Sequence, residues 1–241
     1  MTQQGSTSPS VLRVFRFRPA HAAFDSTLRD VMLPDLVAME GLRAVYAGRQ
    51  GPGELGDRLV ASVWTTEAAM VAAVGADFDR PTFHPEFIDD SLDKRLDKLP
   101  IAFALEPAEE VSAPVLRLVI GTVASGRLGE YERRVADGTR DDVETGRGPL
   151  ALYLATDPDG RFATLSVWGQ WSKVAEATGG SVGQPTRTRH AELLAEWTTA
   201  HYEGIFAGTR GDTSGLVVRS AATGSFAGIS GRIEGDPTAV I

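Results

Sequence analysis

The sequence predicts an α+β fold of two tandem ferredoxin-like domains, each an antiparallel sheet with helices on one face. Two observations predict this class: a strand motif that occurs twice, and the same β-α-β-β-α-β order of elements around each copy. The motif is an apolar run that ends in Ser-Val-Trp, once at Trp64 and again at Trp168. Each run is short, rich in β-branched residues and preceded by Gly and Asp, as is typical of a buried strand.

The two motifs belong to a longer internal repeat. Trp64 and Trp168 are 104 residues apart, and the same interval relates three further pairs: Val11 and Val115, Gly75 and Gly179, Pro81 and Pro185. With a slip of two residues, His84 also matches His190. The chain therefore reads as two copies of one domain of about a hundred residues, which is the usual domain size.

The first copy begins with a strand and a helix. Pro34 is expected to kink or end that helix, and Thr66 is a candidate cap for the second helix. In chain order, the predicted elements are a strand over 11–18, a helix from residue 20, strands over 41–47 and 59–64, a helix over 67–74, a charged helical stretch within 77–99 and a strand over 101–105.

The second copy repeats this order. Its predicted elements are a strand over 115–121, a helix over 128–135, strands over 150–155 and 162–168, a helix over 171–177, a helical stretch over 191–199 and a closing strand over 201–206. The predicted organisation is a disordered leader (1–10), a first domain (11–105), a linker (106–114), a second domain (115–206) and a tail rich in Gly, Ser and Thr (207–241).

Helices cover only one face of each predicted sheet, so the other face must be buried as well. We expect the two sheets to pack against each other as an intramolecular pseudo-dimer, an α+β barrel within one chain. Whether this unit associates further is left open. The tail is expected to be flexible or to add a strand, because termini are usually weakly ordered; the alternative is a peptide that docks another protein.

Composition limits the classes of partner. The chain has 241 residues and a net charge of -8, which argues against nucleic acid or an anionic membrane as the main partner. It contains no apolar run of the roughly 20 residues needed to span a bilayer and no signal peptide, so we expect a cytoplasmic protein. It contains no Cys, which excludes disulfides and thiolate metal sites.

The order of elements, the strand ending at Trp64 with the following Thr-Thr-Glu-Ala-Ala-Met, and the second motif at Trp168 resemble the antibiotic biosynthesis monooxygenase (ABM) family of dimeric α+β barrel proteins. The resemblance covers roughly residues 11–206. It implies a pocket between sheet and helices, often lined by a Trp at this position. The family includes cofactor-independent oxygenases of aromatic polyketides, quinol oxygenases and haem-degrading enzymes. The polyketide-oxidising and haem-degrading branches use an Asn near the substrate, and this sequence contains no Asn.

Two pairs of repeated residues are the main site candidates. His84 and His190 are candidate proton acceptors, because a neutral imidazole titrates near pH 7; alternatively they cap helices or face solvent. Trp64 and Trp168 are candidates for stacking on a flat aromatic substrate; alternatively they pack in the core at the strand ends.

Weaker candidates lie on other strands. Tyr46 and Tyr153 occupy the second strand of each copy and are predicted to line the pocket, with Arg49 at its mouth. His201 and Glu203 alternate along the closing strand and could share a metal, but no third ligand can be named, so no metal site is predicted.

Three functions follow from these candidates. The first is a monooxygenase that uses O2 on an aromatic or quinol-like small molecule without a dedicated cofactor, with His84 or His190 as base and Trp64 or Trp168 holding the ring. The second is a non-catalytic module that binds a ligand or a partner. The third is haem binding or degradation, with His84 or His190 as axial ligand. The aromatic neighbours of His84 favour the first copy slightly.

Overall fold

The computed structural model of the chain has a mixed α+β fold. It describes residues 9–21, 23–50, 56–76, 83–84, 90–107, 111, 114–178, 188–209, 219–220 and 233–234. Most of the predicted leader, part of the predicted linker, most of the tail and the repeat positions Pro81, Gly179 and Pro185 lie outside the described residues.

The described residues form ten strands and five α-helices. The strands are β1 (Val11–Pro19), β2 (Leu42–Arg49), β3 (Arg58–Trp64), β4 (Ser91–Leu105), β5 (Val115–Val123), β6 (Ala151–Thr156), β7 (Arg161–Trp168), β8 (Leu194–Thr209), β9 (Arg219–Ser220) and β10 (Ile233–Glu234). The helices are α1 (Phe24–Thr27), α2 (Leu33–Val37), α3 (Glu67–Val74), α4 (Leu128–Glu144) and α5 (Trp171–Thr178), with a π-helical turn at Leu28–Met32 and a 3-10 turn at Ala191–Leu193.

Eight of the strands pair in a closed antiparallel ring. Their order is β8-β2-β3-β1-β4-β6-β7-β5, and β5 pairs again with β8. Two long strands close the ring, since β4 pairs first with β1 and then with β6, while β8 pairs first with β5 and then with β2. The two halves of the chain are therefore joined by backbone hydrogen bonds at both edges, and not only by the face-to-face packing that we expected.

The two long strands correct the predicted secondary structure. The predicted helical stretches within 77–99 and over 191–199 are wrong over 91–99 and 194–199, which are strand. Leu92, Leu96 and Leu99 have helical spacing in the sequence. In the structure Leu96 packs with the cluster beneath the first helices, whereas Leu99 packs inside the ring. Pairing with a neighbouring strand therefore overrides the local pattern.

Three apolar layers hold the fold together. Side chains from both halves fill the ring interior, including Leu12, Val14, Leu116 and Leu118. A second cluster lies between β1–β3 and the helices α1–α3, and further clusters lie between the second half of the sheet and the helices α4 and α5. The sheet is thus buried on both faces through most of its area.

Helix α3 begins as predicted. Thr66 lies in an extended conformation directly before the helix, and its Oγ1 accepts a hydrogen bond from the Ala69 amide at 3.1 Å. Pro34 does not end the first helical segment: residues 24–37 stay helical, with the π-helical turn at Leu28–Met32 just before the proline. Among the described helices, none has both the length and the apolar character needed to cross a bilayer.

Two short segments of the C-terminal region extend the sheet. Strand β9 pairs with β8 at Phe206 and Ala207, and β10 pairs with β8 at Thr198 and Thr199. At Thr198 and Thr199 the ring pairs only one edge of β8, with β5, and at Phe206 and Ala207 it pairs only the other edge, with β2. The short strands cover the edge that the ring leaves unpaired. Covering such an edge satisfies backbone groups that would otherwise be open to unwanted pairing.

Close approach of β5 and β8 generates a stability prediction at Gly121. A Cβ atom at this position would lie 2.0 Å from the Glu196 carbonyl oxygen and 2.7 Å from the Trp197 Cα. We expect Gly121→Ala to lower the free energy of unfolding by about 2 kcal/mol or more, because backbone must move to make room. Urea unfolding monitored by tryptophan fluorescence measures the change.

Gly129 in α4 is the matched control, since a Cβ there would meet nothing within 4 Å. Gly129→Ala should raise the free energy of unfolding by up to about 1 kcal/mol, as expected for a helical position. Equal stability of the two variants would contradict the predicted contact between β5 and β8.

Candidate functional site

A cavity of about 90 Å³, here called the α4 pocket, lies between helix α4 and the second half of the sheet. Its floor comes from β5, β6 and β7, one wall comes from α4, and the other comes from the segment before β8. The lining residues from the sheet are Arg117, Val119, Leu152, Thr164, Ser166 and Trp168, and those facing them include Tyr131, Gly138, Asp142, Thr188, Arg189 and His190.

A smaller side chain on β5, Val119 in place of Phe15, accounts for part of the cavity in this half. At the repeat interval of 104 residues, Val119 and Gly121 stand where the first half has Phe15 and Phe17. The two phenylalanine rings stack at 4.9 Å between their centroids and fill the first half beneath its helices. The corresponding space beneath α4 is not filled in this way, and Val119 lines the pocket.

Arg117 places a positive charge in the floor of the α4 pocket. It pairs in register with Ser166 of β7 and His201 of β8, so these three side chains share one face of the sheet. Its Nη2 donates to Thr188 Oγ1 at 3.4 Å. Burial lowers the pKa of Arg117 to about 10, which still leaves it charged at neutral pH. A cation with so little water around it stabilises an anion beside it more strongly than a surface arginine would.

His190 presents a neutral imidazole to the same pocket. Its backbone is left-handed, with φ of 60°, and its Nε2 would lie 3.9 Å from a Cβ added at Gly138 of α4. Burial lowers the pKa of His190 below its usual value. The ring is therefore unprotonated at neutral pH and able to accept a proton.

An ion pair fixes the segment that carries His190. Arg189 donates to both carboxylate oxygens of Asp142, at 2.5 and 3.1 Å, and Asp142 is only 8% exposed. This two-pronged contact anchors the residue before His190 to helix α4. The sequence alone does not single out three residues that line this pocket: Arg117, Arg189 and Asp142.

The aromatic wall consists of Trp168 and Tyr131. Trp168 Nε1 donates to Ser166 Oγ at 2.9 Å, which satisfies the buried indole and fixes the ring. Burial raises the pKa of Tyr131 to about 12, so its hydroxyl remains a hydrogen-bond donor. It faces Thr164, whose Oγ1 is buried and makes no hydrogen bond of normal geometry within the described residues.

In the first half, the predicted site residues have other surroundings. Trp64 is fully buried in the apolar cluster beneath the first helices, and its Nε1 donates to Ser62 Oγ at 2.9 Å. His84 Nε2 lies 3.0 Å from a carboxylate oxygen of Asp35 in α2, and the His84 ring meets the edge of the Phe83 ring. His190 and Trp168 thus share a pocket, while Trp64 is enclosed by core side chains.

The other candidates lie outside the α4 pocket. Tyr46 and Tyr153 lie inside the ring, where their hydroxyls are hydrogen-bonded at 3.2 Å. Arg49 donates to Glu203 at 3.0 Å. The structure thus brings the two tyrosines together, but on the opposite face of the sheet from Trp168.

His201 lies next to Arg117 and is held neutral. Its ring centroid is 5.4 Å from that of Trp171. Burial, and then the charge of Arg117, lower the pKa of His201 to about 4. Across the part of the chain that the structure describes, no three His, Asp or Glu side chains are grouped as a metal site requires.

Solved structures of other proteins share this fold. A protein from Fusobacterium nucleatum subsp. nucleatum, provisionally assigned as a monooxygenase, superimposes with a TM-score of 0.65 at 11% identity over 89% of this chain and 99% of its own. A provisionally assigned monooxygenase from Lactobacillus acidophilus superimposes with a TM-score of 0.64 at 13% identity, over 88% of this chain and 100% of its own. An anthrone oxidase-like protein superimposes with a TM-score of 0.57 at 14% identity, over 85% of this chain and 95% of its own.

No protein-family model matches the chain, and no curated protein sequence matches it. At these low identities the structural likeness establishes the mixed α+β fold, which these proteins with monooxygenase and oxidase names share.

The lowered pKa of His201 generates a pH prediction. Between the ordinary pKa of 6.5 and the folded value of about 4, the unfolded chain binds a proton that the folded chain does not. The contribution of His201 to stability is therefore complete above pH 6.5 and is lost as the pH falls towards 4. We expect the free energy of unfolding to fall by about 2 to 3 kcal/mol on this account.

Urea titrations at about pH 7.5 and about pH 4.5 measure this loss, with His201→Gln as the comparison. Between these two pH values, the free energy of unfolding should fall less in His201→Gln than in the wild type. An equal fall in both proteins would contradict the assignment of His201 as a buried, neutral side chain.

Proposed function

We propose that the chain is an ABM-type monooxygenase that binds an acidic aromatic substrate in the α4 pocket and oxidises it with O2. The observation that carries the proposal is the convergence of three groups in one cavity. His190 supplies a neutral base, Arg117 a buried positive charge and Trp168 a fixed aromatic surface. The names of the similar structures, two monooxygenases and an anthrone oxidase-like protein, support the same class of reaction.

The substrate class follows from the charges. A phenol, or a ketone with an acidic methylene between aromatic rings as in an anthrone, becomes an oxyanion when it loses a proton. His190 accepts that proton, and Arg117 stabilises the oxygen on which the negative charge settles. Trp168 and Tyr131 hold the ring, and Tyr131 donates a further hydrogen bond.

The oxidation balances without an outside reductant. The electron-rich anion passes electrons to O2. With an anthrone, one oxygen atom forms a new carbonyl at the ring methylene, and the other leaves as water with the two hydrogens of that methylene. With a phenol, one oxygen atom forms the second carbonyl of a quinone at a ring carbon, and the other leaves as water with the hydrogen of that carbon and the hydroxyl hydrogen. Both pairs of electrons come from the substrate. The reaction as proposed therefore uses no dedicated cofactor, and no step in it requires the Asn that this sequence lacks.

The cavity limits how the substrate sits. A volume of about 90 Å³ is below that of an engineered cavity of about 150 Å³ that holds benzene. One ring is thus expected to enter the pocket with small side-chain adjustments, while the rest of a larger substrate lies towards the opening. A haem macrocycle is much wider than this cavity and has no terminal aromatic ring that could enter alone, so the geometry favours a phenol or the outer ring of an anthrone.

The site belongs to the second of two copies in this proposal. We infer that the halves are tandem ferredoxin-like units, because Val11 pairs with Trp64 and Val115 pairs with Trp168 at the repeat interval. In the first copy Phe15 and Phe17 fill the equivalent space. The sequence alone slightly favours the first copy as the active one, and we propose the second copy instead.

The first test is oxygen consumption with a panel of anthrones, phenols and quinols. His190→Gln should lower kcat at least about a hundredfold, because general-base catalysis contributes about that factor or more. His84→Gln is the matched control and should retain the wild-type rate. Equal loss in both variants, or none in either, would contradict the assignment of the base.

A second test measures binding without turnover. A nitrophenol absorbs visible light only as its anion, so an absorbance titration reports the pKa of the bound phenol. We expect the wild type to lower that pKa by about one unit or more, as a neighbouring cation does.

Arg117→Gln should abolish this shift and weaken phenolate binding about tenfold, whereas Arg117→Lys should restore part of it. Arg13→Gln, at the equivalent position of the first half, is the control. A shift that survived in Arg117→Gln would place the phenolate elsewhere.

A further inference from the structure

A second cavity lies at one mouth of the ring interior, on the opposite face of the sheet from the α4 pocket. Its volume is about 510 Å³, within the range of small-molecule sites. The ends of β1, β4 and β8 form its walls, with Ala200 and Tyr202 at the side towards the apolar ring interior. We call it the ring-mouth cavity.

Basic side chains dominate this cavity although the protein is acidic. Four basic residues and two acidic ones line it: Arg16, Arg18, Lys94, Arg95, Asp57 and Asp93. Arg18 is shared between the two acids, at 3.2 Å from Asp93 and 3.7 Å from Asp57. Asp97 also pairs with Arg16, so the basic side chains exceed the acidic ones by one, in a chain with a net charge of -8.

Two of the arginines are placed directly opposite each other. Arg16 of β1 is the register partner of Arg95 of β4, and Arg16 also pairs with Leu59, which faces the ring interior. Like charges directly across an antiparallel pair are unfavourable. An anion between the two guanidinium groups would remove this repulsion.

The hydrogen bonding of these arginines leaves donors available. Arg16 Nη2 donates to Asp97 at 3.0 Å, but the buried Arg16 Nε finds no hydrogen-bond acceptor among the described residues. Within the described residues, Arg95 makes no ion pair or hydrogen bond with another side chain. A buried N–H without a partner is costly, and a bound ion or water usually satisfies such a donor.

We propose that the ring-mouth cavity binds a small oxyanion, a phosphate or carboxylate group, held between Arg16 and Arg95. Planar guanidinium groups match the oxygens of both anions. The hydroxyl of Thr198 on β8 lies on the facing wall, where it can meet the rest of such a ligand. This site is independent of the proposed oxidation in the α4 pocket.

The test is calorimetric titration of the full chain with inorganic phosphate, pyrophosphate and citrate at constant ionic strength. We expect saturable binding of at least one of these anions, and comparison of the phosphates with citrate identifies the favoured oxyanion. Arg95→Gln should weaken it roughly tenfold, the effect of losing a hydrogen bond to a charged group. Arg133→Gln, an exposed arginine on α4, should leave binding unchanged.

Arg16→Gln should have at least the same effect as Arg95→Gln. Because Arg16 also pairs with Asp97, Arg16→Gln could fail to fold, and Arg95→Gln is then the deciding variant. No saturable binding of any of the three anions, or binding that Arg95→Gln weakens no more than Arg133→Gln, would overturn the proposal.

Discussion

The closed sheet depends on two strands that each serve both halves of the chain. A sheet of four strands exposes two edges and one bare face, and neither is stable in water. The long strands β4 and β8 solve both problems at once, because each extends beyond its own half and hydrogen-bonds to the other. The apolar inner faces are then enclosed within the ring, and the helices need to cover only the outer face.

This closure determines where chemistry is possible. The ring interior is filled by apolar side chains around the hydrogen-bonded pair Tyr46 and Tyr153, and the two cavities described above lie at its mouth and beneath the helices. Beneath the helices the two halves differ by the size of a few side chains. Phe15 and Phe17 complete the core of one half, whereas Val119 lines a cavity in the other.

Much of the fold, but less of the site, can be predicted from the sequence. The repeated Ser-Val-Trp strands and the Thr66 cap are local signals, and the structure contains both. The long strands were missed because the leucines of 92–99 follow a helical spacing, and only pairing with β1 makes them a strand. Arg117 was missed because the sequence does not show that this charged residue of an apolar strand lines a pocket beneath helix α4. Comparing the two copies position by position would have shown the loss of both phenylalanines.

The proposed reaction requires an aromatic anion to bind in the α4 pocket with its oxygen against Arg117. The most direct measurement is a crystal structure of the protein with a phenol that it cannot oxidise. We expect the ring beside Trp168, with its oxygen within hydrogen-bonding distance of Arg117 and its reactive side facing His190. A phenol bound against His84 in the first half, or inside the ring, with the α4 pocket left empty would contradict it.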